Sequence, residues 1–122
     1  MSNSIQQEAQ AILDILATTE FQDCIALSKE FRELPMSAGI YAVKHRTLSI
    51  LYIGKTRTLR DRFRGGHKAL LWAFIEELQA TDVRITFHTL EFDQWIRLSS
   101  ELESLIIRAI DPPYNVRISA RD

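Results

Sequence analysis

The stretch from Gly39 to Gly54 constrains the fold more than any other part of the chain. Gly39-Ile-Tyr41 opens it, Tyr52-Ile-Gly54 closes it, and ten residues lie between the two tyrosines. Gly39 to Lys44 and Leu48 to Ile53 are rich in Ile, Val, Leu and Tyr, and His45-Arg-Thr47 separates them, so an antiparallel hairpin is expected. Paired residues in such a hairpin have a constant index sum, and Tyr41 and Tyr52 share a face only if the loop holds an even number of residues. A four-residue loop, His45 to Leu48, sets Tyr41 directly across from Tyr52, whereas a three- or five-residue loop sends the rings to opposite faces.

The rest of the chain supplies layers for that hairpin. Ser4-Ile-Gln-Gln7 has the form of a capping box, and Ile5, Ala9, Ile12, Leu13 and Leu16 recur at helical spacing, which predicts a helix over about 5–17. Thr19-Glu-Phe-Gln22 repeats the device, and the apolar residues from Phe21 to Phe31 predict a second helix ending before Pro35, so that the two form a helical hairpin. Thr58-Leu-Arg-Asp61 followed by Gly65-Gly66 predicts a short helix over Leu59 to Arg64. Leu59 and Phe63 should face the core, with Arg62 at the edge of the buried stripe, pointing inward. A longer helix is expected from about His67 to Gln79 and a strand over Asp82 to Leu90, with Val83, Ile85 and Phe87 on one face. A last helix over Phe92 to Ile110 carries Trp95, Leu98, Leu102, Leu105, Ile106 and Ala109 inward, and Pro112-Pro113 ends it. The expected class is α+β: a small three-stranded, mostly antiparallel sheet flanked by helices, with residues 1–36 as a helical extension packed on a domain over 37–122. Packing is the only role assigned to that extension.

Composition bounds the function. At 122 residues, 46% hydrophobic and 25% charged, the chain has the balance of one globular unit. No apolar run reaches the ~20 residues of a membrane span, and no basic-then-apolar leader opens the sequence, so a cytoplasmic setting is expected. The single cysteine, Cys24, reads as a small core residue, and the scattered His45, His67 and His88 give no zinc-ligand spacing; His45 and His88 read as surface residues. Net charge is −1, yet Lys55, Arg57, Arg60, Arg62, Arg64 and Lys68 against Asp61 give a local +5 directly after the second tyrosine.

A phosphodiester can be cut where a water nucleophile meets a base, cations or a metal meet the developing charge, and the leaving oxygen is stabilised. Two close tyrosines, Lys55, Arg62 and an acid on the last helix can fill these roles. A phenol with its usual pKa near 10 serves as base at neutral pH only where cations favour the phenolate, and the +5 segment is their expected source.

These residues resemble the motif of the GIY-YIG nuclease superfamily, to which the incision nucleases of excision repair and certain homing endonucleases belong. Gly39-Ile-Tyr41 and Tyr52-Ile-Gly54 carry the resemblance, with a ten-residue step from Tyr52 to Arg62. It extends through Tyr52-Ile-Gly-Lys55, Thr58-Leu-Arg-Asp-Arg62, Glu103-Ser-Leu-Ile-Ile-Arg and Pro113-Tyr-Asn115, spanning 77 residues. The resemblance implies a metal-dependent endonuclease acting on DNA, with RNA left open. Tyr41 would be the general base or would orient the attacking water, with Tyr52 as its pair. Arg62 would bind the scissile phosphate, and Asn115 would fix the geometry by hydrogen bonds. Glu103 would hold one divalent metal, magnesium or alternatively manganese; Glu101 competes for that role, and the twelve-residue step to Asn115 favours Glu103. Lys55 would depress a tyrosine pKa, and His67 falls near a histidine that some members use. Arg57, Arg60, Arg64 and Lys68 would meet phosphates without reading sequence. Without a separate DNA-binding domain in view, the source of specificity is left open among a homodimer, a protein partner, recognition of a branched or damaged structure, and action on RNA or loosely on any duplex. The alternative is a catalytically weak nucleic-acid or partner-binding module that keeps the fold.

Overall fold

The computed structural model describes residues 2–67, 69, 70, 73 and 76–115. Helix α1, Ser2–Thr18, buries Ala9, Ile12, Leu13 and Leu16, as the spacing requires, but it starts ahead of Ser4, which therefore lies inside the first turn instead of capping it. The second helix does not form. Phe21–Asp23 is a single 3-10 turn and Ile25–Ala26 is a short strand, β1. Tertiary partners take the carbonyls that a helix would have used internally. Buried Lys44 donates through Nζ to the carbonyls of Leu16, Ala17 and Thr19 at 3.0, 3.2 and 2.7 Å, which ends α1. Arg84 Nη1 donates to the carbonyls of Phe21, Gln22 and Cys24, while the Phe21 ring lies under the guanidinium groups of Arg46 and Arg84, at 4.5 and 5.0 Å. Cys24 is buried, as expected of a core residue.

Strands β2 (Gly39–His45), β3 (Ser49–Thr56) and β4 (Val83–Thr89) join β1 in an antiparallel sheet ordered β1-β4-β2-β3. The α+β class stands, with a fourth, two-residue strand added at one edge. The hairpin register differs from expectation. At the turn His45 pairs with Ser49, leaving a three-residue loop, and His45 Nδ1 accepts the N–H groups of Thr47 and Leu48 at 3.1 and 3.2 Å. His45 is thus the closing residue of the turn, and Ser49 at φ 67 redirects the chain. Such a loop alone would part the two tyrosines. A bulge between Val43 and Lys44 shifts the register, so that Val43 faces Tyr52 and Tyr41 faces Gly54. Leu51 and Tyr52, adjacent in sequence, both pack on one side of the sheet, and Ile50 and Ile53 pack on the other. Tyr41 and Tyr52 therefore share a face diagonally instead of directly.

Helix α2, Leu59–Arg64, follows with Leu59 and Phe63 buried. Thr58 precedes it but its hydroxyl does not cap; the Thr58 N–H is taken by Thr56 Oγ1 at 3.2 Å. Gly66, at φ 95, turns the chain away. Part of the expected His67–Gln79 helix lies outside the described residues. Ala69, Leu70 and Ala73 are helical, but Glu76 and Glu77 form a turn with Glu77 at φ 63, and the Leu78 N–H reaches back to the Ala73 carbonyl at 3.0 Å. Helix α3, Phe92–Ile110, has the predicted limits and a capping box made by Glu91 and Gln94. Leu102 and Ile106 are buried, whereas Ala109 is exposed. Asp111, left-handed at φ 46, ends the helix.

The sheet divides two cores. On one side α1 and α3 cover Ile40, Ala42, Ile50 and Ile53. On the other, Phe31, Leu34, Leu59, Phe63, Ala69, Ala73 and Tyr114 cover Tyr41, Val43, Leu51, Val83 and Ile85. The second side carries the tyrosines. Among the described residues no helix is long and apolar enough to cross a membrane.

Candidate active site

Tyr41 sits on central strand β2, buried to 1% exposure, and Tyr52 on edge strand β3 is half-buried. Their ring centres are 6.2 Å apart. Both motif glycines are demanded by packing. A Cβ on Gly54 would fall 2.5 Å from Tyr41 Cζ and 2.9 Å from Tyr52 Cε2, and one on Gly39 would fall 2.6 Å from the His88 carbonyl oxygen. The Tyr41 ring meets Phe63 edge-on at 4.8 Å and His67 at 5.3 Å, while His67 stacks on Phe63 at 4.9 Å.

His67, the residue the spacing supported least, proves to be the direct partner of Tyr41: its Nε2 lies 2.6 Å from the phenolic oxygen. The proton on this contact can be assigned. His67 Nδ1 accepts the Ala69 N–H at 2.9 Å, so in the neutral ring Nε2 carries the hydrogen and donates it to Tyr41. Burial, assisted by the Arg62 charge, pushes the His67 pKa down to about 3 and keeps the ring neutral.

The cations do not produce a phenolate in the free protein, contrary to the expectation drawn from the +5 segment. Burial raises the Tyr41 pKa well above its ordinary value, the Tyr52 and Glu103 groups raise it further, and Arg62 opposes them by charge and hydrogen bonding. Tyr41 is a phenol that accepts from His67 and senses Arg62 and Glu103. Arg62, half-buried on α2, points inward as expected. Lys55 lies beside Trp95 and Glu103. Its Nζ lies 4.9 Å above the Trp95 ring, and it acts on Glu103, through its charge and its backbone N–H. Burial raises the Glu103 pKa against that pull. Glu103 is half-buried and Glu101 exposed.

Asn115 holds the outer edge of β3. Its Oδ1 accepts the Ile53 N–H and its Nδ2 donates to the Ile53 carbonyl, both at 2.8 Å. Its neighbour Tyr114, not singled out from sequence as a site residue, is buried against the Tyr41 core and donates to Glu76 at 2.8 Å. Phe63 was legible only as a core residue, and Trp95 likewise; the ring spacing that makes them supports for His67 and Lys55 is tertiary.

The basic segment divides by role. Arg57 and Arg64 are exposed, with Arg64 3.5 Å from Asp61. Arg60 is half-buried and tied to the preceding loop: its Nε donates to the Leu34 carbonyl at 2.9 Å and its Nη2 to the Arg32 carbonyl at 3.1 Å. Lys68 lies outside the described residues. Among the described residues no three or more His, Cys, Asp or Glu side chains cluster as a metal site. The half-buried Glu103 carboxylate is an oxygen donor of the type that a hard divalent ion takes, and it would be the residue to hold one.

The GIY-YIG catalytic domain family matches residues 37–115. Over 95 residues, 74% of the chain, it is 30% identical to the UvrABC system protein C of Methanothermobacter thermautotrophicus, covering 15% of that protein. It is 29% identical over 96 residues to the protein of the same name from Chlorobium chlorochromatii and 30% identical over 89 residues to that of Streptococcus sanguinis, covering 14% and 13% of them. The chain thus spans a small part of the curated relatives it matches, and residues 1–36 lie ahead of the matched family segment.

Proposed function

The chain belongs to the GIY-YIG catalytic domain family, and from that membership we propose that it is a metal-dependent endonuclease that hydrolyses phosphodiester bonds in DNA. The observation that carries the reading is the meeting, around one buried phenol, of His67 from the loop after α2, Arg62 from α2 and Glu103 from α3.

In this reading Tyr41 gives up its own phenolic proton to solvent when substrate binds, and as the phenolate it orients the attacking water and takes its proton. The phenol resists ionisation in the free protein, so the base role needs stabilisation of the phenolate. His67 Nε2–H and the Arg62 guanidinium are the donors aimed at that oxygen. Arg62 also binds the scissile phosphate, which brings it and the developing charge to the same place. Glu103 would hold the divalent ion, magnesium or manganese, which supplies charge stabilisation at the phosphate and leaving oxygen. Lys55, seated on Trp95, keeps the Glu103 carboxylate available as an anion. Asn115 fixes β3, and with it Tyr52, against the rest of the site. Exposed Arg57 and Arg64 supply sequence-independent attraction to the backbone.

The test is a panel of single-stranded, duplex and branched DNA and of RNA, incubated with the purified chain and magnesium or manganese. Cleavage is expected on DNA. It should fall by about a hundredfold or more in Tyr41→Phe, Arg62→Ala and Glu103→Ala. Tight binding with no cleavage of any substrate would replace this reading with that of a binding module.

A further inference from the structure

Helix α3 presents the two most exposed large apolar side chains among the described residues, Phe92 at 79% and Ile96 at 61% exposure. Both lie on the flank that carries Glu103. Ile96 and Phe92 precede it by seven and eleven residues, close to two and three whole turns, which sets each within about 20° of Glu103 around the helix axis. Along the axis they lie about 10 and 16 Å from it. Between Ile96 and Glu103 this flank carries only Ser99, which is buried, and Ser100. Lys55 links the two ends: its Nζ is 4.9 Å from the ring of Trp95, the neighbour of Ile96, and its charge acts on Glu103. Gly39 pairs with both Thr56 and Thr89, so exposed Arg57, which follows β3, lies at the end of the sheet where α3 begins. We propose that this flank is the path of the substrate strand beyond the scissile phosphate, with a nucleobase stacked on the open face of Phe92 and against Ile96. Lys55 and Arg57 are the cations beside the intervening phosphates. The inference rests on the nuclease reading above and narrows its substrate to strands whose bases are unpaired, or free to leave the stack, about two to five nucleotides from the cut.

Continuity with the site and the size of the patch decide the occupant. A strand whose phosphate lies at Glu103 must leave along one flank of α3, and this one carries no acid between Glu103 and Phe92 and has a cation alongside. The acids nearest Phe92 are engaged: Asp93 pairs with Arg97 at 3.4 Å, and Glu91 forms the capping box with Gln94. Two apolar side chains offer at most about 400 Å2, half of the ~800 Å2 per partner that a stable protein interface buries. The outward face of α3 does not extend the patch, because Asp93, Arg97, Glu101 and Ser104 are exposed there. One or two bases need no larger surface, and a base stacks on any open ring regardless of sequence. The ring also stands on a fixed base. The capping box holds the first turn, and Gln94 Nε2 donates to the Glu8 carboxylate on α1. Little side-chain or backbone freedom is then lost when a base arrives.

An abasic scan of wild type, Phe92→Ser and Phe92→Trp tests this, with the full chain throughout. Single strands of one sequence, each lacking one base at a successive position on either side of the cut, are compared with the intact strand for binding and cleavage. In wild type one position about two to five nucleotides from the cut should lose about tenfold in affinity when its base is removed. That penalty should shrink to within about twofold in Phe92→Ser and persist in Phe92→Trp, which restores a π-face. Both variants should melt with wild type, since the ring lies outside the core. A wild type that cuts but gives a flat scan overturns the strand path and leaves the nuclease reading standing. A penalty undiminished in Phe92→Ser also overturns it, by placing the base elsewhere. A flat scan in which Phe92→Ser converts a dimer to a monomer in sedimentation overturns it in favour of a second copy of the chain. A wild type that neither binds nor cuts any strand overturns the nuclease reading and this inference with it.

Discussion

The Tyr41 phenolic oxygen and His67 Nε2 are 2.6 Å apart inside the protein, and the Ala69 N–H on Nδ1 fixes the proton of that contact on the histidine. Folding holds His67 at about 3, below its ordinary 6.5, so the unfolded chain binds the extra proton between those values. The stability this group contributes is full above about pH 6.5 and is lost as pH falls toward 3. The difference in unfolding free energy between wild type and His67→Gln should therefore narrow by up to about 1.4 kcal/mol per pH unit across that window. Denaturation series at several pH values measure it, and nitrogen chemical shifts should show the Nε2–H tautomer throughout.

Gly54 faces Tyr41 across the hairpin, and the Tyr41 ring, braced by Phe63 at 4.8 Å, cannot retreat from an added methyl. Gly54→Ala should cost about 1–3 kcal/mol of stability and reduce cleavage, because it displaces the phenol. Gly65→Ala is the control: the nearest contact of its Cβ would be the Asp61 carbonyl oxygen at an ordinary 3.6 Å, and its melting temperature should stay close to that of wild type. Melts and cleavage rates of both variants decide the matter.

Asn115→Ala removes both partners from the Ile53 amide and carbonyl. The loss should be about 1–3 kcal/mol, with faster hydrogen exchange at the Ile53 amide and a lower cleavage rate. Asn115→Asp keeps an acceptor but loses the donor, so the Ile53 N–H should stay protected while stability still falls. Exchange rates at that one amide separate the two variants.

The arginines of α2 should behave differently although they are four residues apart. Arg64→Ala should lower the slope of log affinity against log salt by about one and leave the melting temperature nearly unchanged. Arg60→Ala should leave the slope unchanged and cost about 1–2 kcal/mol by freeing the carbonyls of Leu34 and Arg32. Binding titrations at several salt concentrations, paired with melts, distinguish them.

Local signals carried the elements whose fate is decided locally. The limits of α3 follow from its apolar period and the prolines beyond it, and Leu59 and Phe63 read as a buried pair from their spacing alone. The region after α1 read as helix because Phe21, Cys24 and Ile25 fit a helical stripe. Its actual form was set by Lys44 and Arg84, residues about 20 and 60 positions away that take the carbonyls. The candidate site divides the same way. Tyr41, Arg62 and Glu103 could be named from motif spacing, whereas the direction of the Tyr41 pKa depended on burial, which no spacing reports. Arg60 and Arg64 looked equivalent on a helical wheel, and only the position of the 31–34 loop distinguishes them.

Opposite the Val43–Lys44 step, Leu51 is the extra residue of the bulge, unpaired between Ile50 and Tyr52 on β3. It compensates for an odd-length turn, so the alignment of the two phenols is secured within the strand and not at the tip of the hairpin. The tip, with Thr47 and Leu48 in solvent, is thereby released from the duty of keeping count. Insertions of paired residues there would lengthen the arm without disturbing the site, and a single insertion could be absorbed by erasing the bulge. The hairpin is a place where lineages of this protein can vary in size, or where a reporter peptide can be grafted, while the chemistry some residues away remains in step.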